Sequence, residues 1–524
     1  MSMREWVLCP GLVVAAVFAF LGAAQGGTLV DEHSLFGEAT EPVAGAGVVA
    51  EWEPVRALSV SLPLEGVFAR AGMGDFMLGL VTSAARYTDV VVLHDEEELQ
   101  TVSRVIAGVR AVDAELLGRV HFMPARVGTV WLRDHGPVFA RDRASGAVGL
   151  VVLDSVYRDA RFESRVQRER LASGEDGAAF REMALDLSKR LKDDTTPVYL
   201  AQYLRQRGAD GPVRLSRPPA QIWGGDIAAD GKGNVFVSTE TLTMHGGKQG
   251  ELEAILRDYY GATSVVYLEP LPGPTVKHLD MFFKVVDAET FFLASYDHDE
   301  EAFAGAGEYA RYLHDEIKAV LARNEARLRE AFPGRPVVRV PMPAVVTPTV
   351  GQVVREYRDL FYLQKLLRDT PSLREHLARA SDPNDRVEVE RRLTERAVEQ
   401  YRLQFKAEPG GDAERELVDK LIRENSSTTL EEAVRNYAPR EVIYKTFLNS
   451  VQIDGVYGKA VLVPEYSPDE RNPQAAMARM RREAEDAYRD AMPDAEVVFI
   501  NCDAVIKLSG ALHCVTVTVP GAGG

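Results

Sequence analysis

The sequence predicts an α/β protein, and three features carry that reading. Short β-branched runs alternate with amphipathic helical stretches through most of the chain. A polar residue sits just before a strand–turn–strand, or before a final strand, at five places: Asp134, Asp226, His278 with Asp280, Asn449 and Cys514. Recurrence of one supersecondary unit predicts radial repetition, with the polar loops gathered on one axis. Finally, 349–440 is charged and poor in strand formers, and reads as a helical insertion in that rhythm.

The elements follow in order from local pattern. After Glu51-Trp52-Glu53-Pro54 comes a strand at 57–62. Apolar residues at helical spacing predict a helix over 76–87, and Asp89-Val90-Val91-Val92-Leu93 a strand. An amphipathic helix at 96–109 and a strand at 120–123 continue the alternation that marks α/β folds. Strands at 138–140 and 148–153 flank a turn at 142–146, and 160–192 is helical in pattern. Strands at 227–229 and 234–238 enclose Asp230-Gly231-Lys232-Gly233. A helix at 251–260 and a strand at 264–268 precede a strand pair at 281–286 and 290–294. A long helix at 308–332 leads to a strand at 336–341. Beyond the insertion the alternation resumes at Ile443, with strands at 451–453 and 460–464, a helix at 471–490 and a strand at 496–500. The last run is Val515-Thr516-Val517-Thr518-Val519.

At 524 residues the chain fits one large domain with insertions, or two to three domains. Apolar content of 46% and charged content of 27% mark a globular chain. The net charge of −17 argues against a nucleic-acid partner, whose phosphates need basic patches. It suits a cationic substrate, and equally serves solubility. Residues 6–30 carry no charged side chain, Arg4 precedes them, and small residues occupy 22–26. Residues 1–26 thus read as a secretory signal peptide or an uncleaved N-terminal anchor. Either predicts export, to the periplasm or beyond. Apart from Cys9 within that stretch, the cysteines are Cys502 and Cys514, too few for a disulfide framework, and both read as free.

The five polar loops hold the candidate chemistry. Trp131-Leu132-Arg133-Asp134-His135-Gly136-Pro137 places a charged pair at a strand mouth, which a surface salt bridge would also explain. Gly224-Gly225-Asp226 lets the backbone approach a ligand closely but lacks the Lys-Ser or Lys-Thr of a phosphate loop. His278 and Asp280, two apart on an extended segment, point to one side. A metal pair is the rival reading there, without other ligands at metal spacing. Cys514 opens the last strand, where a thiolate is a strong nucleophile if its pKa is lowered and a buried thiol is inert.

These motifs, in this order, together with Leu448-Asn449 and Gly510-Ala511-Leu512-His513-Cys514, resemble those of the bacterial-type peptidyl-arginine deiminase and agmatine deiminase family, in the guanidine-modifying pentein superfamily. The likeness runs from about Glu51 to Pro520 apart from the insertion. It implies a five-bladed α/β propeller whose catalytic domain spans 27–348 and 441–520. Carried across residue by residue, it implies Cys514 as nucleophile, His278 as general acid/base, and Asp134 and Asp280 as guanidinium-binding carboxylates. Asn449 resembles an active-site asparagine, and Trp131 and Arg133 belong to the substrate-binding motif. Asp226 departs from the family's usual Asn and either adds a third negative charge or points away. The family's Trp- and Pro-rich segment is not recognisable between Tyr157 and Val213.

That set suits a guanidinium, a planar cation with five N–H donors that stays protonated at neutral pH. Two carboxylates can each take a pair of N–H groups and hold the central carbon against a thiolate. The expected enzyme is an exported guanidine iminohydrolase without metal or organic cofactor, its substrate arginine within peptides. Agmatine is the alternative substrate, and a non-catalytic guanidinium-binding protein the alternative of another class. His513 adjoins Cys514, and strand alternation would turn the two to opposite faces.

Overall fold

β1 (Ala46–Val48) leads into three parallel strands, β2 (Val55–Leu62), β3 (Asp89–His94) and β4 (Val120–Pro124). Helices α1 (Met73–Ala84) and α2 (Leu99–Val112) connect them. The computed structural model describes residues 39–63, 72–95, 99–142, 149–157, 178–209, 211–273, 276–298, 308–346 and 442–521, with a few isolated positions besides. The N-terminal stretch 1–26 and nearly all of 349–440 lie outside the described residues.

From here one plan recurs: two antiparallel strands, a helical connection, and a third strand parallel to the second. The one-turn helix α3 (Leu132–His135) introduces β5 (Val138–Asp142) and β6 (Gly149–Leu153). Helices α4 (Ala178–Asp193) and α5 (Thr196–Gln206) then lead to β7 (Val213–Ser216), parallel to β6. Next come β8 (Ile227–Ala229) and β9 (Asn234–Ser238), α6 (Thr239–Met244) and α7 (Gln249–Tyr260), and β10 (Ser264–Leu268). β11 (Phe283–Val285) and β12 (Phe291–Ser295) pass through α8 (Glu308–Ala331) to β13 (Val337–Pro341). β14 (Val451–Gly455) and β15 (Gly458–Glu465) pass through α9 (Gln474–Ala491) to β16 (Glu496–Asn501).

The fifth repeat joins the two ends of the chain. β17 (Thr516–Pro520) lies antiparallel to β2, which is parallel to β3 after α1. The last strand therefore completes a unit begun near the N-terminus. β14 touches β2 through the single pair Gly455 and Val55, merging the fourth and fifth units into one seven-stranded sheet.

Helix burial follows the expected period. In α8, Leu313, Ile317, Leu321 and Leu328 face the sheet. Asn324 shares that buried face because its amide bonds both the N–H and the carbonyl of Glu269, at 2.8 Å each. Phe236, Phe283 and Phe291 pack ring to ring between the second and third units. Each such buried ring contributes roughly 1.5–3 kcal/mol of transfer free energy. The core thus runs between units, and the loops leading into the first strand of each unit are free to carry polar groups.

Candidate active site

Those five loops meet. The loop at α3 is tied to the last loop by the Arg133 N–H, which donates to the Cys514 carbonyl at 3.1 Å. Gly225 lies so close to the third loop that a Cβ there would stand 2.6 Å from His278 Nδ1 and 3.1 Å from Asp280 Oδ2. The second glycine of the pair is needed for that approach. Before the nucleophile, Ser509 adopts φ 68°, the left-handed conformation at the end of a short helical turn. Gly510 follows, and any side chain there would run into the Trp131 ring.

Asn449 aligns the cysteine. Its Oδ1 accepts the His513 N–H at 2.9 Å and the Cys514 N–H at 3.4 Å, while its Nδ2 donates to Cys514 Sγ at 3.2 Å. Cys514 Sγ lies 3.8 Å from Asp280 Oδ2. His278 Nδ1 lies 3.4 Å from Asp134 Oδ1, and the edge of Trp223 stacks on the His278 ring at 5.3 Å. Four buried atoms of three side chains in this cluster have no hydrogen-bond partner among the described residues: Asp134 Oδ1, Asp280 Oδ1 and both ring nitrogens of His278. Native proteins pair most such atoms with protein groups or ordered water, and a cluster of unpaired ones is a place for water, an ion or a ligand.

Behind the cluster the charges are paired. Arg133 Nη1 lies 2.8 Å from Glu51 Oε1, Lys284 Nζ lies 3.3 Å from Glu51 Oε2, and Lys284 also donates to the Ser450 carbonyl at 2.9 Å. His513 Nε2 lies 2.6 Å from Glu51 Oε1, and its Nδ1 lies 2.7 Å from Asp280 Oδ2.

Burial raises the Cys514 thiol well above its usual range, and the charges of Asp280 and Asp134 push the same way. Burial, then the charge of Asp280, likewise raises Asp134 well above the carboxylate range, against the pull of Arg133. Burial lowers His278 to about 4, although Asp280 attracts its proton. Burial would raise Glu51, but His513, Arg133 and Lys284 together hold it well below its usual value. The cluster therefore contains a neutral imidazole and a thiol, beside an Asp134 whose carboxyl holds its proton more tightly than usual. A cation seated between Asp134 and Asp280 would favour the ionised form of both Asp134 and Cys514, because each is now held toward its neutral form partly by its neighbours' negative charge.

The structure brings Cys514, His278, Asp134, Asp280, Asn449 and the Trp131 ring together. It commits the charged ends of the other two expected residues elsewhere. The Arg133 guanidinium is engaged by Glu51 and the His513 carbonyl. The Asp226 carboxylate accepts from Ser238 Oγ at 2.6 Å and from Thr241 Oγ1, and burial raises its pKa to about 7. Asp226 Oδ2 turns into the start of α6, while its Oδ1 has no partner among the described residues and its carboxyl still feels the charge of Asp280.

Two expectations of orientation need correction. His513 and Cys514 do not face opposite sides, since both approach Asp280 Oδ2. The reason is that 512–515 form a turn and β17 begins only at Thr516, so strand alternation does not apply. His278 and Asp280 do converge, but across a helical turn at Leu279–Met281 rather than along an extended segment. Sequence reasoning missed Glu51 and Trp223 as members of the site. Trp223 adjoins the paired glycines, a signal that could have found it; Glu51 sits in an unremarkable loop. Cys502 and Cys514 are both free, and Cys502 is buried with its sulfur directed at the Ile500 carbonyl. Among the described residues, no group of three or more His, Cys, Asp or Glu side chains is arranged to hold a metal ion.

A family model described as Porphyromonas-type peptidyl-arginine deiminase matches residues 47–357 and 375–520. The unmatched gap falls within the stretch that reads as an insertion. No curated protein matches the chain. Among solved structures, the agmatine deiminase of Enterococcus faecalis is similar at TM-score 0.53 and 14% identity, covering 92% of this chain and 100% of that one. The C. jejuni agmatine deiminase is similar at TM-score 0.52 and 13% identity, covering 91% and 97%. A Porphyromonas gingivalis protein solved as a candidate arginine deiminase is similar at TM-score 0.52 and 17% identity, covering 91% and 98%. At these identities the likeness shows a shared mixed α/β fold.

Proposed function

Because this chain belongs to the Porphyromonas-type peptidyl-arginine deiminase family of guanidino-group hydrolases, we propose that it converts arginine within peptides to the ureido product, releasing ammonia outside the cytoplasm. One observation carries the reading: the unpaired buried atoms Asp134 Oδ1 and Asp280 Oδ1 beside Cys514 and His278 match the donors of a guanidinium. The charge-free stretch at 6–30 supports export. The five repeats of one strand pairing support reading the units as five blades around an axis.

In this reading the guanidinium sits between Asp134 and Asp280, which fix its plane and charge. Its positive charge favours the Cys514 thiolate, and neutral His278 is a base able to take the thiol proton. The sulfur adds to the central carbon, forming a C–S bond and a tetrahedral adduct. Protonation of one nitrogen by His278 lets ammonia depart with its bonding pair, leaving an S-alkyl thiouronium. His278 then takes a proton from water as the oxygen adds, and the C–S bond breaks to return the thiolate and the ureido product. Orientation by the two carboxylates accounts for part of the roughly 7–11 kcal/mol that ideal alignment can remove from a barrier.

Agmatine is the second reading, favoured by the agmatine deiminases among the similar structures. Initial rates of ureido formation on a short arginine peptide and on agmatine, at equal concentration, decide between them. We expect the peptide to react faster. A preference for agmatine of about tenfold or more would overturn the substrate assignment, and absence of ureido product from every guanidine would overturn the reaction.

A further inference from the structure

Glu51 takes no part in the chemistry above, yet three basic side chains converge on it across long separations in sequence; His513 is 462 residues away. Arg133 and His513 share its Oε1, at 2.8 and 2.6 Å, and Lys284 stands 3.3 Å from its Oε2. The other nitrogen of His513 is 2.7 Å from Asp280 Oδ2. Both ring nitrogens thus face carboxylate oxygens. The ring is therefore tied at both ends between the two acids. The remaining charged or titratable neighbours are Asp134, His278, Cys514 and Asp226 around Asp280, with Arg133 and Lys284 at Glu51.

We propose that Glu51 and His513 are positioning residues: Glu51 anchors the His513 ring, the ring holds Asp280 Oδ2, and Asp280 Oδ1 is thereby aimed at the guanidinium. This rests on the reading of Asp280 as a guanidinium-binding carboxylate. The terminal torsion of an aspartate is broad, so a carboxylate with neither oxygen tied has no fixed aim. Tying Oδ2 leaves one defined position for Oδ1, which has no protein partner. Arg133 and Lys284 keep Glu51 ionised and stationary, so the anchor does not yield.

The test combines Glu51→Gln, His513→Gln and Asp280→Asn, singly and in pairs, with kcat and KM for ureido formation from an arginine peptide or agmatine, whichever turns over. Glu51→Gln should lose about tenfold in kcat/KM, as small misplacements in a reacting geometry do. That loss should nearly vanish when Asp280→Asn is already present, because the route from Glu51 to substrate runs through Asp280. The same loss in both backgrounds is what a merely structural role gives, and it would overturn the proposal. An Asp280→Asn variant with full activity would overturn the guanidinium-clamp reading and the proposal with it. A damaging Asp280→Asn beside a harmless Glu51→Gln would overturn the proposal alone. Should Glu51→Gln fail to fold, nitrogen-15 spectra of the histidine-labelled full chain remain decisive. They should show ring-nitrogen signals that disappear in His513→Gln and shift in Asp280→Asn; His513 signals unmoved by Asp280→Asn would refute the arrangement.

Discussion

Two places in this molecule set a pair of aspartates around one point, and they differ in what lies between. In the first unit, Arg217 projects from the end of β7 toward Asp154 and Asp194. Its Nη1 lies 2.9 Å from Asp154 and its Nη2 2.6 Å from Asp194, all three essentially out of water. At the meeting of the five loops, no Arg or Lys among the described residues pairs with Asp134 or Asp280, and Asp134 Oδ1 and Asp280 Oδ1 lack a donor there, as Asp154 Oδ1 also does in the first pair. Burial would lower Arg217, yet the two carboxylates raise it above its usual value. Burial, then the charge of Asp280, pushes Asp134 well up, and burial pushes Asp154 up to about 8 even against the pull of Arg217. The first pair shows how this protein holds a guanidinium of its own. The second has acceptors for one, and among the described residues its ion-pair partners are histidines, His278 beside Asp134 at 3.4 Å and His513 beside Asp280 at 2.7 Å, rather than an arginine. Buried charge serves cohesion in one case and recognition in the other, and an arginine partner within the chain marks the difference.

The sharpest separation of the two places comes from chemistry. Cys514→Ser should abolish ureido formation while the circular dichroism spectrum and guanidinium binding persist, because a hydroxyl lacks the nucleophilicity of a thiolate. Cys502→Ser, which changes a buried thiol outside the cluster, should keep most activity; equal loss in both variants would sink the assignment of the nucleophile. Next in size, Asp134→Asn or Asp280→Asn should cost on the order of 10²-fold in kcat/KM, as loss of a preorganised charge partner does. Their melting temperatures should hold. Arg217→Met should do the reverse, lowering stability by about 3–5 kcal/mol by leaving buried carboxylates uncompensated. Urea denaturation and steady-state kinetics on the same variants check both halves. A kinetic defect in Arg217→Met with unchanged stability would erase the distinction.

The smallest effect concerns a third kind of aspartate. Asp226 has hydroxyl partners and no cation, and its folded pKa of about 7 stands above the ordinary 3.8. A raised acid binds its proton more tightly when folded, so its contribution to stability falls as pH rises from about 4 to 7 and is lowest above 7. Asp226→Asn removes that penalty. It should raise stability at pH 8 by on the order of 1–2 kcal/mol, inside the ceiling set by about 1.4 kcal/mol for each pH unit. The gain should shrink as pH falls toward 4, and kcat/KM should stay within a few-fold. Thermal melts at pH 8 and pH 5 measure it. A gain independent of pH would show that ionisation of Asp226 is not the cause.

Much of the fold was legible from local pattern. Strands such as β8 (Ile227–Ala229) and β9 (Asn234–Ser238) stand where the sequence places them, since short β-branched runs bounded by Asp and Gly have few other solutions. α8 (Glu308–Ala331) likewise covers its predicted span. Helix bounds drifted: α1 spans Met73–Ala84 rather than 76–87, because apolar periodicity marks the buried face more sharply than the ends. The polar residues before each unit were visible as motifs. Their orientations were not, because a one-turn helix at Leu279–Met281 and a turn at 512–515 look like strand approaches in sequence.

By itself, then, the amino-acid order determined the α/β alternation and the repeat of polar loops before strands, and the resemblance of those loops to a family's motifs pointed to the side chains expected at a guanidinium. These depend on periods of two and 3.6 residues and on side-chain chemistry, which are local properties. Tertiary structure alone decided that β17 completes the unit begun by β2, that Asp226 turns to Ser238 and Thr241, and that Glu51 reaches His513. It also decided that Arg133 is spent on Glu51 while Asp134 Oδ1 and Asp280 Oδ1 are not spent at all. Whether a buried charge has a partner depends on groups brought together from distant parts of the chain, and no local pattern contains that pairing.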